Sequence, residues 1–222
     1  MSWIGFAAVF TVFFLSHSIP VQPAIKARIS VMTGPRAFGV MYSALSVAML
    51  ALLIWSAGKA PLVQLWPQLP WQRPVTHLGM LAVCLILALS VGRPNPFSFA
   101  GARNDQYDPT CPGITRWTRH PILLGLALWA GVHLLPNGDL AHVVLFGVLG
   151  AFAMAGHSLI DRRKRYILGE AHWDILDATR RTAPLVQAPI SWRGLIVRVA
   201  FGSGVFVLLL WLHPKVIGVS AL

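Results

Sequence analysis

The stretch "TRHPILLGLALWAGVHLLPNGD", Thr118 to Asp139, sets two histidines, an arginine and an asparagine around an apolar run. About 20 apolar residues, with a range of roughly 17–25, cross the hydrocarbon core of a bilayer as a helix. The run therefore reads as a membrane span, or nearly one. "PNGD" reads as a tight turn that sends the chain back through the apolar residues that follow, as an antiparallel helical hairpin. An open sheet is excluded, because lipid cannot satisfy its backbone groups.

The same pattern extends in both directions. Six candidate spans lie at 3–19, 37–57, 75–91, 121–136, 140–160 and 194–213, the third and fourth of them short. The fold expected is all-α, a polytopic bundle of about six transmembrane helices, forming a single domain over 1–222. "MSWIGFAAVFTVFFLSHSIP" has neither a basic n-region nor a small-residue cleavage motif, and is read as a retained first span. Of 222 residues 56% are hydrophobic and only 11% charged, against about 25% charged in a soluble domain. The net charge of +11 does not indicate nucleic acid, because it sits between apolar runs and not on a basic domain. The partner implied is the bilayer, with a small apolar or membrane-embedded substrate. Two cysteines, Cys84 and Cys111, make neither a disulfide framework nor a CxxC site.

Fifteen of the eighteen Lys and Arg fall in 20–36, 92–120 and 161–198. Positively charged loops stay in the cytoplasm, so both termini are expected outside. The stretch 161–181, "DRRKRYILGEAHWDILDATRR", reads as an amphipathic cytoplasmic helix, lying on anionic lipid or folded against the bundle. "APLVQLWPQLPWQRP" reads as an outer interfacial cap.

This topology places His17, His120 and His157 toward the cytoplasm, and His77, His133 and His142 toward the outside. Ionisable residues within spans are uncommon and face the bundle interior at sites, and neutral imidazole ligates iron, copper or zinc. His172 and His213 are expected at interfaces, with no special role. All seven acidic residues lie outside the apolar cores, which argues against a carboxylate-based proton pump. Asp139 and Asp161, at span ends, need no more than capping or topological roles. Gly125, Trp129 and His133 share one helix face at i, i+4 and i+8. Either that face admits a flat ligand, walled by Trp129 and ligated by His133, or it is close helix packing on a small residue.

The motifs "FFLSHS", "GPRAFGVMYSALS", "THLGM", "TRHPILLGLALWAGVHLLPNGD" and "GHSLIDRRKRYILGEAHWDIL" appear in order over roughly residues 10–180. In them the chain resembles the NnrU family of integral membrane proteins. The resemblance implies a bacterial inner-membrane protein with periplasmic termini, linked to nitrogen-oxide metabolism and denitrification. A related branch, the plant 15-cis-zeta-carotene isomerases, carries haem b. Transferring its ligands points to His17 and His133, with a redox-dependent, isomerase-like activity. That branch's switching cysteine falls at Ala130, which cannot ligate. Depth alone would pair His133 with His77 or His142, because His17 lies roughly 15 Å away along the bundle axis. The chain is also distantly similar to isoprenylcysteine carboxyl methyltransferases, in "RHP" before a hairpin and in "YILGEAHW". That likeness implies S-adenosylmethionine as the alternative cofactor, touched by Arg119 and His120, with Glu170 and Trp173 near. A non-catalytic assembly or transport factor is the third reading.

Overall fold

The structure is a computed structural model that describes residues 1–99 and 101–220. Among the described residues there are eight α-helices and no strand: α1 Trp3–Ser18, α2 Pro23–Thr33, α3 Pro35–Ala57, α4 Gln72–Ser90, α5 Pro121–Leu134, α6 Leu140–Leu168, α7 Glu170–Thr182 and α8 Trp192–Val216. The all-α expectation holds, and the long apolar helices make the chain a multi-pass membrane protein. Four helices, α3, α4, α6 and α8, are long and apolar enough to cross. A fifth span exists only if α1 and α2, bent by 72°, count as one.

Among the described residues four or five helices thus meet the length and composition of a span, close to the six expected, and the reasons for the difference are local. With 14 residues, α5 reaches only about 21 Å at 1.5 Å per residue, against a hydrocarbon core of about 30 Å. Pro121 starts it and the Pro136–Asp139 turn stops it. The 16 residues of α1 end just before Pro20. The stretch 161–181 is not one helix either. Its first eight residues continue α6, and Gly169, at φ 81°, interrupts the chain before α7 begins. Positive φ costs glycine little and other residues more.

The chain forms two compact units. The first comprises Met1–Pro67 and Gly138–Leu145. In it α1 and α2 pack on α3, and Phe6, Phe10, Phe13, Phe38 and Leu53 are buried. Tyr42 donates its hydroxyl to the His17 carbonyl at 3.1 Å. The Gly138 carbonyl accepts from the N–H groups of Leu65 and Trp66. Asp139 caps the first turn of α6, its Oδ1 accepting from the His142 N–H at 3.2 Å, which is the capping role expected of it.

The second unit comprises Gln68–Asn137 and Phe146–Leu222. Here α4 packs against both α5 and α8. At one end Thr76 donates to the Val132 carbonyl, and at the other Arg198 donates to the carbonyls of Ala88 and Val91. Small residues set these approaches. A Cβ at Gly125 would stand 3.2 Å from Leu87, and one at Gly202 would stand 3.0 Å from Ala88 and from the Cys84 carbonyl. The closest fit between these helices is at Gly79, where a Cβ would stand 2.4 Å from a Val132 methyl. Val132 is β-branched and stiff at χ1, so it cannot swing aside. Gly79→Ala is expected to destabilise the protein by about 1–3 kcal/mol through overpacking. Val132→Ala in the same chain should restore much of the loss, read as thermal midpoints in detergent.

Candidate functional site

The RHP motif sits where the loop between α4 and α5 meets α5. Pro121 takes the first helical position, where its missing N–H costs nothing. Just before it, the Arg119 carbonyl accepts from the Asn95 side-chain amide at 2.9 Å. This fixes the loop and turns the Arg119 and His120 side chains toward α6 and α7.

Arg119 closes on two carboxylates. Its Nε and Nη2 reach the two oxygens of Asp161 at 3.1 and 2.6 Å. Its Nη1 reaches both oxygens of Asp177 at 3.3 Å. Asp177 also takes Arg180 at 2.6 Å and Arg181 at 2.8 Å. Arg180 continues to the carbonyls of Thr115 and Arg116, tying α7 to the loop between α4 and α5. Trp173 packs between Arg119 and Arg165, whose guanidinium carbons lie 5.1 and 3.9 Å from its ring centroid. Trp173, Asp177 and Arg180 are 2%, 4% and 4% exposed. Of the two expectations for this amphipathic segment, α7 therefore folds against the protein. Burial pushes the Asp177 carboxyl up, but hydrogen bonds and charge from Arg180, then Arg119 and Arg181, outweigh it and hold it below the usual carboxylate range.

Asp161 does more than mark a span end. It lies inside α6 and holds both Arg119 and His120, so the topological role expected of it is corrected. His120 is 1% exposed, with Nε2 at 2.8 Å from Asp161 Oδ1. A carboxylate only accepts, so Nε2 carries the proton and a neutral ring keeps its lone pair on Nδ1. That Nδ1 is buried without a partner. Burial lowers the His120 pKa below its ordinary value, and the Asp161 hydrogen bond only partly opposes this. The His157 ring stands edge-on to it at 5.1 Å, and its own Nε2 is also buried without a partner.

Two of the three histidines expected on the outer side, His77 and His133, come together with His213 at the other end of this unit, whereas His142 does not. His77, His133 and His213 line one cavity of about 120 Å³. His133 donates Nδ1–H to the Trp129 carbonyl at 2.8 Å, and His213 donates to the Val219 carbonyl at 2.6 Å. Each neutral ring therefore keeps a lone pair on Nε2. The Trp129 and His133 rings lie against each other and against Phe146. Gly125 instead abuts Leu87 and Ile86, which is helix packing. His213, for which an interfacial place with no role is expected, joins this cavity because the end of α8 runs past the start of α4. The sequence signal was its position at the end of the last span, the level expected of His77 and His133.

His17 lies in the first unit, its ring 4.4 Å from Phe13 and its Nδ1 buried without a partner. His142 lies in the same unit, with Nδ1 2.7 Å from Asp139. Ala130 is fully buried beside Gly150. Among the described residues no three His, Cys, Asp or Glu side chains form a metal-binding group.

A larger cavity, about 540 Å³, opens beside the ion-pair cluster, with Arg93, Tyr107, Asp108, Thr115 and Arg198 in its wall. Arg119 and His120 are not part of that wall. Glu170 is exposed, with Arg165 at 3.7 Å, and is not part of it either.

The family model described as NnrU protein matches residues 5–221. No curated protein and no solved structure matches the chain.

Proposed function

We propose, given that the chain belongs to the NnrU family, that it binds haem b in the bacterial inner membrane and serves nitrogen-oxide metabolism. The observation that carries this is the state of His133. Its Nδ1–H is spent on the Trp129 carbonyl at 2.8 Å, which fixes the ring and leaves Nε2 basic. Metal-ligating histidines are oriented in this way. The second ligand that the resemblance implies is His17, which lies in the first unit. His77 and His133 line the same cavity, and at about 120 Å³ it is smaller than the roughly 300–1,000 Å³ that drug-sized ligands need, so haem on His133 requires that cavity to widen. Bound haem would supply one-electron redox chemistry, and the chain's part is to hold two neutral imidazoles and exclude water. Periplasmic termini belong to the same reading. They are supported by the shared end of the second unit at which Arg93, Arg116, Arg119, Arg180 and Arg198 collect.

The test is the visible spectrum of the purified, detergent-solubilised protein, oxidised and reduced. The expected result is a low-spin, bis-histidine b-type spectrum. It is lost in His133→Ala, weakened or made high-spin in His17→Ala, and kept in His172→Ala. A wild-type protein without haem bands after haem supplementation would refute the reading. The S-adenosylmethionine alternative has only His120 Nδ1 to use at this cluster, because Asp161 engages Arg119 and His120 Nε2. It needs the 540 Å³ cavity, and calorimetric titration of that compound separates the two.

A further inference from the structure

We propose that Arg93, Arg103 and Arg198 form a binding site for the phosphate of an anionic membrane lipid. The three arginines lie around the last turn of α4, near enough for Arg93 and Arg103 to act on Arg198 by charge. Arg198 Nη1 donates to the carbonyls of Ala88 at 2.7 Å and Val91 at 3.0 Å. Arg103 Nη2 reaches the Gly92 carbonyl at 3.5 Å, and Arg93 is the next residue. Unpaired carbonyls at a helix C-terminus amount to about half a negative charge, which can seat one cation but cannot neutralise three. Among the described residues no carboxylate forms an ion pair with any of the three, whereas Arg119, Arg165, Arg180 and Arg181 each have one. The acid nearest in the wall, Asp108, accepts from the Thr110 N–H and hydroxyl at 2.8 and 2.6 Å.

Two further observations point to a ligand. Arg103 stands at φ 52°, the left-handed conformation that a side-chain-bearing residue rarely adopts, and such strain gathers at ligand clamps. Arg93 and Arg198 also open onto the 540 Å³ cavity, whose wall is otherwise largely apolar, with Leu89, Ile114 and Leu195 in it. A charged head on an apolar body suits that lining. The place is headgroup depth, because a spanning helix ends there and another begins. Trp117 and Trp192 are exposed at the same end, as aromatic side chains are at membrane interfaces. Basic pockets between spanning helices take anionic headgroups, and the planar fork of Arg matches phosphate oxygens two at a time. This site uses no histidine, so it stands or falls separately from the haem reading.

The test is native mass spectrometry of the full-length protein in detergent, titrated with phosphatidylglycerol or phosphatidylcholine. Phosphatidylglycerol should be retained preferentially. Arg93→Gln and Arg103→Gln should each weaken it about fivefold, the effect of one basic side chain near anionic lipid. Arg93→Gln/Arg198→Gln should abolish the preference, while Arg36→Gln, in the other unit, should not change it. Since Arg198 also holds α4, the single variants at 93 and 103 decide the matter if the double variant melts early. Equal retention of the two lipids, or unchanged retention in both single variants, overturns the proposal. Full displacement of the lipid by millimolar inorganic phosphate would assign the site to a free oxyanion and overturn it too.

Discussion

Asp177→Ala is expected to be the most damaging single change outside the apolar core. The carboxylate holds three guanidinium groups, Arg119, Arg180 and Arg181, and Arg180 is only 5% exposed along its side chain. Removing one partner of a buried pair costs about 3–5 kcal/mol, because the remaining charge stays buried without compensation. Asp177→Asn should cost less, since the amide oxygen still accepts. In Asp177→Leu/Arg180→Met much of the loss should return, because a buried ion pair can be replaced by packed apolar groups. Arg181→Ala should cost little, because that side chain is 61% exposed and exposed pairs contribute about 0–1 kcal/mol. Thermal midpoints of the four variants check the order. Equal midpoints for Asp177→Ala and Arg181→Ala would show that the cluster does not hold α7 to the protein.

Acid should loosen the cluster around Arg119, through two groups acting in the same direction. His120 is buried with a pKa below its ordinary value, so an unfolded chain takes up a proton that the folded one refuses. Its contribution is fully present above the unfolded pKa, about 6.5, and is lost as pH falls through the lower folded pKa. Asp177 is held below the usual carboxylate range. Its contribution is present above about 3.9 and is lost as pH falls through its own folded pKa. Stability should therefore decline from just above pH 6 and more steeply below 4. One group can contribute a slope of at most about 1.4 kcal/mol per pH unit. His120→Gln, whose amide can still donate to Asp161, should flatten the first limb and leave the second. Midpoints measured across this range in wild type and variant test it. A first limb unchanged in His120→Gln would mean that another group titrates there.

Composition and the spacing of apolar runs decided that this chain is an all-helical membrane protein, because lipid leaves a helix as the way for a single run to satisfy its backbone. The turn at Pro136–Asp139, the cap at Asp139 and the segregation of basic residues were legible for the same reason, since each depends on neighbours in sequence. Motif order likewise identified the family. The span count was not legible to that accuracy. Hydropathy counts apolar residues, but whether they stay in one helix depends on a break such as Pro20 or Gly169. The site was legible only in outline. His133 and His120 stood out as polar groups in apolar surroundings, yet Asp161 and Asp177 did not, because "DRRKR" and "DATRR" read as solvated charge. Only tertiary structure brings Asp161 from α6 and Asp177 from α7 onto Arg119, 42 and 58 positions away in the chain. It likewise sets His213 in the cavity of His77 and His133, and Arg198 against the end of α4. Periodicity reports which face of one helix is apolar, whereas the pairing of charges depends on which helices meet, and the packing of Gly79, Gly125 and Gly202 decides that.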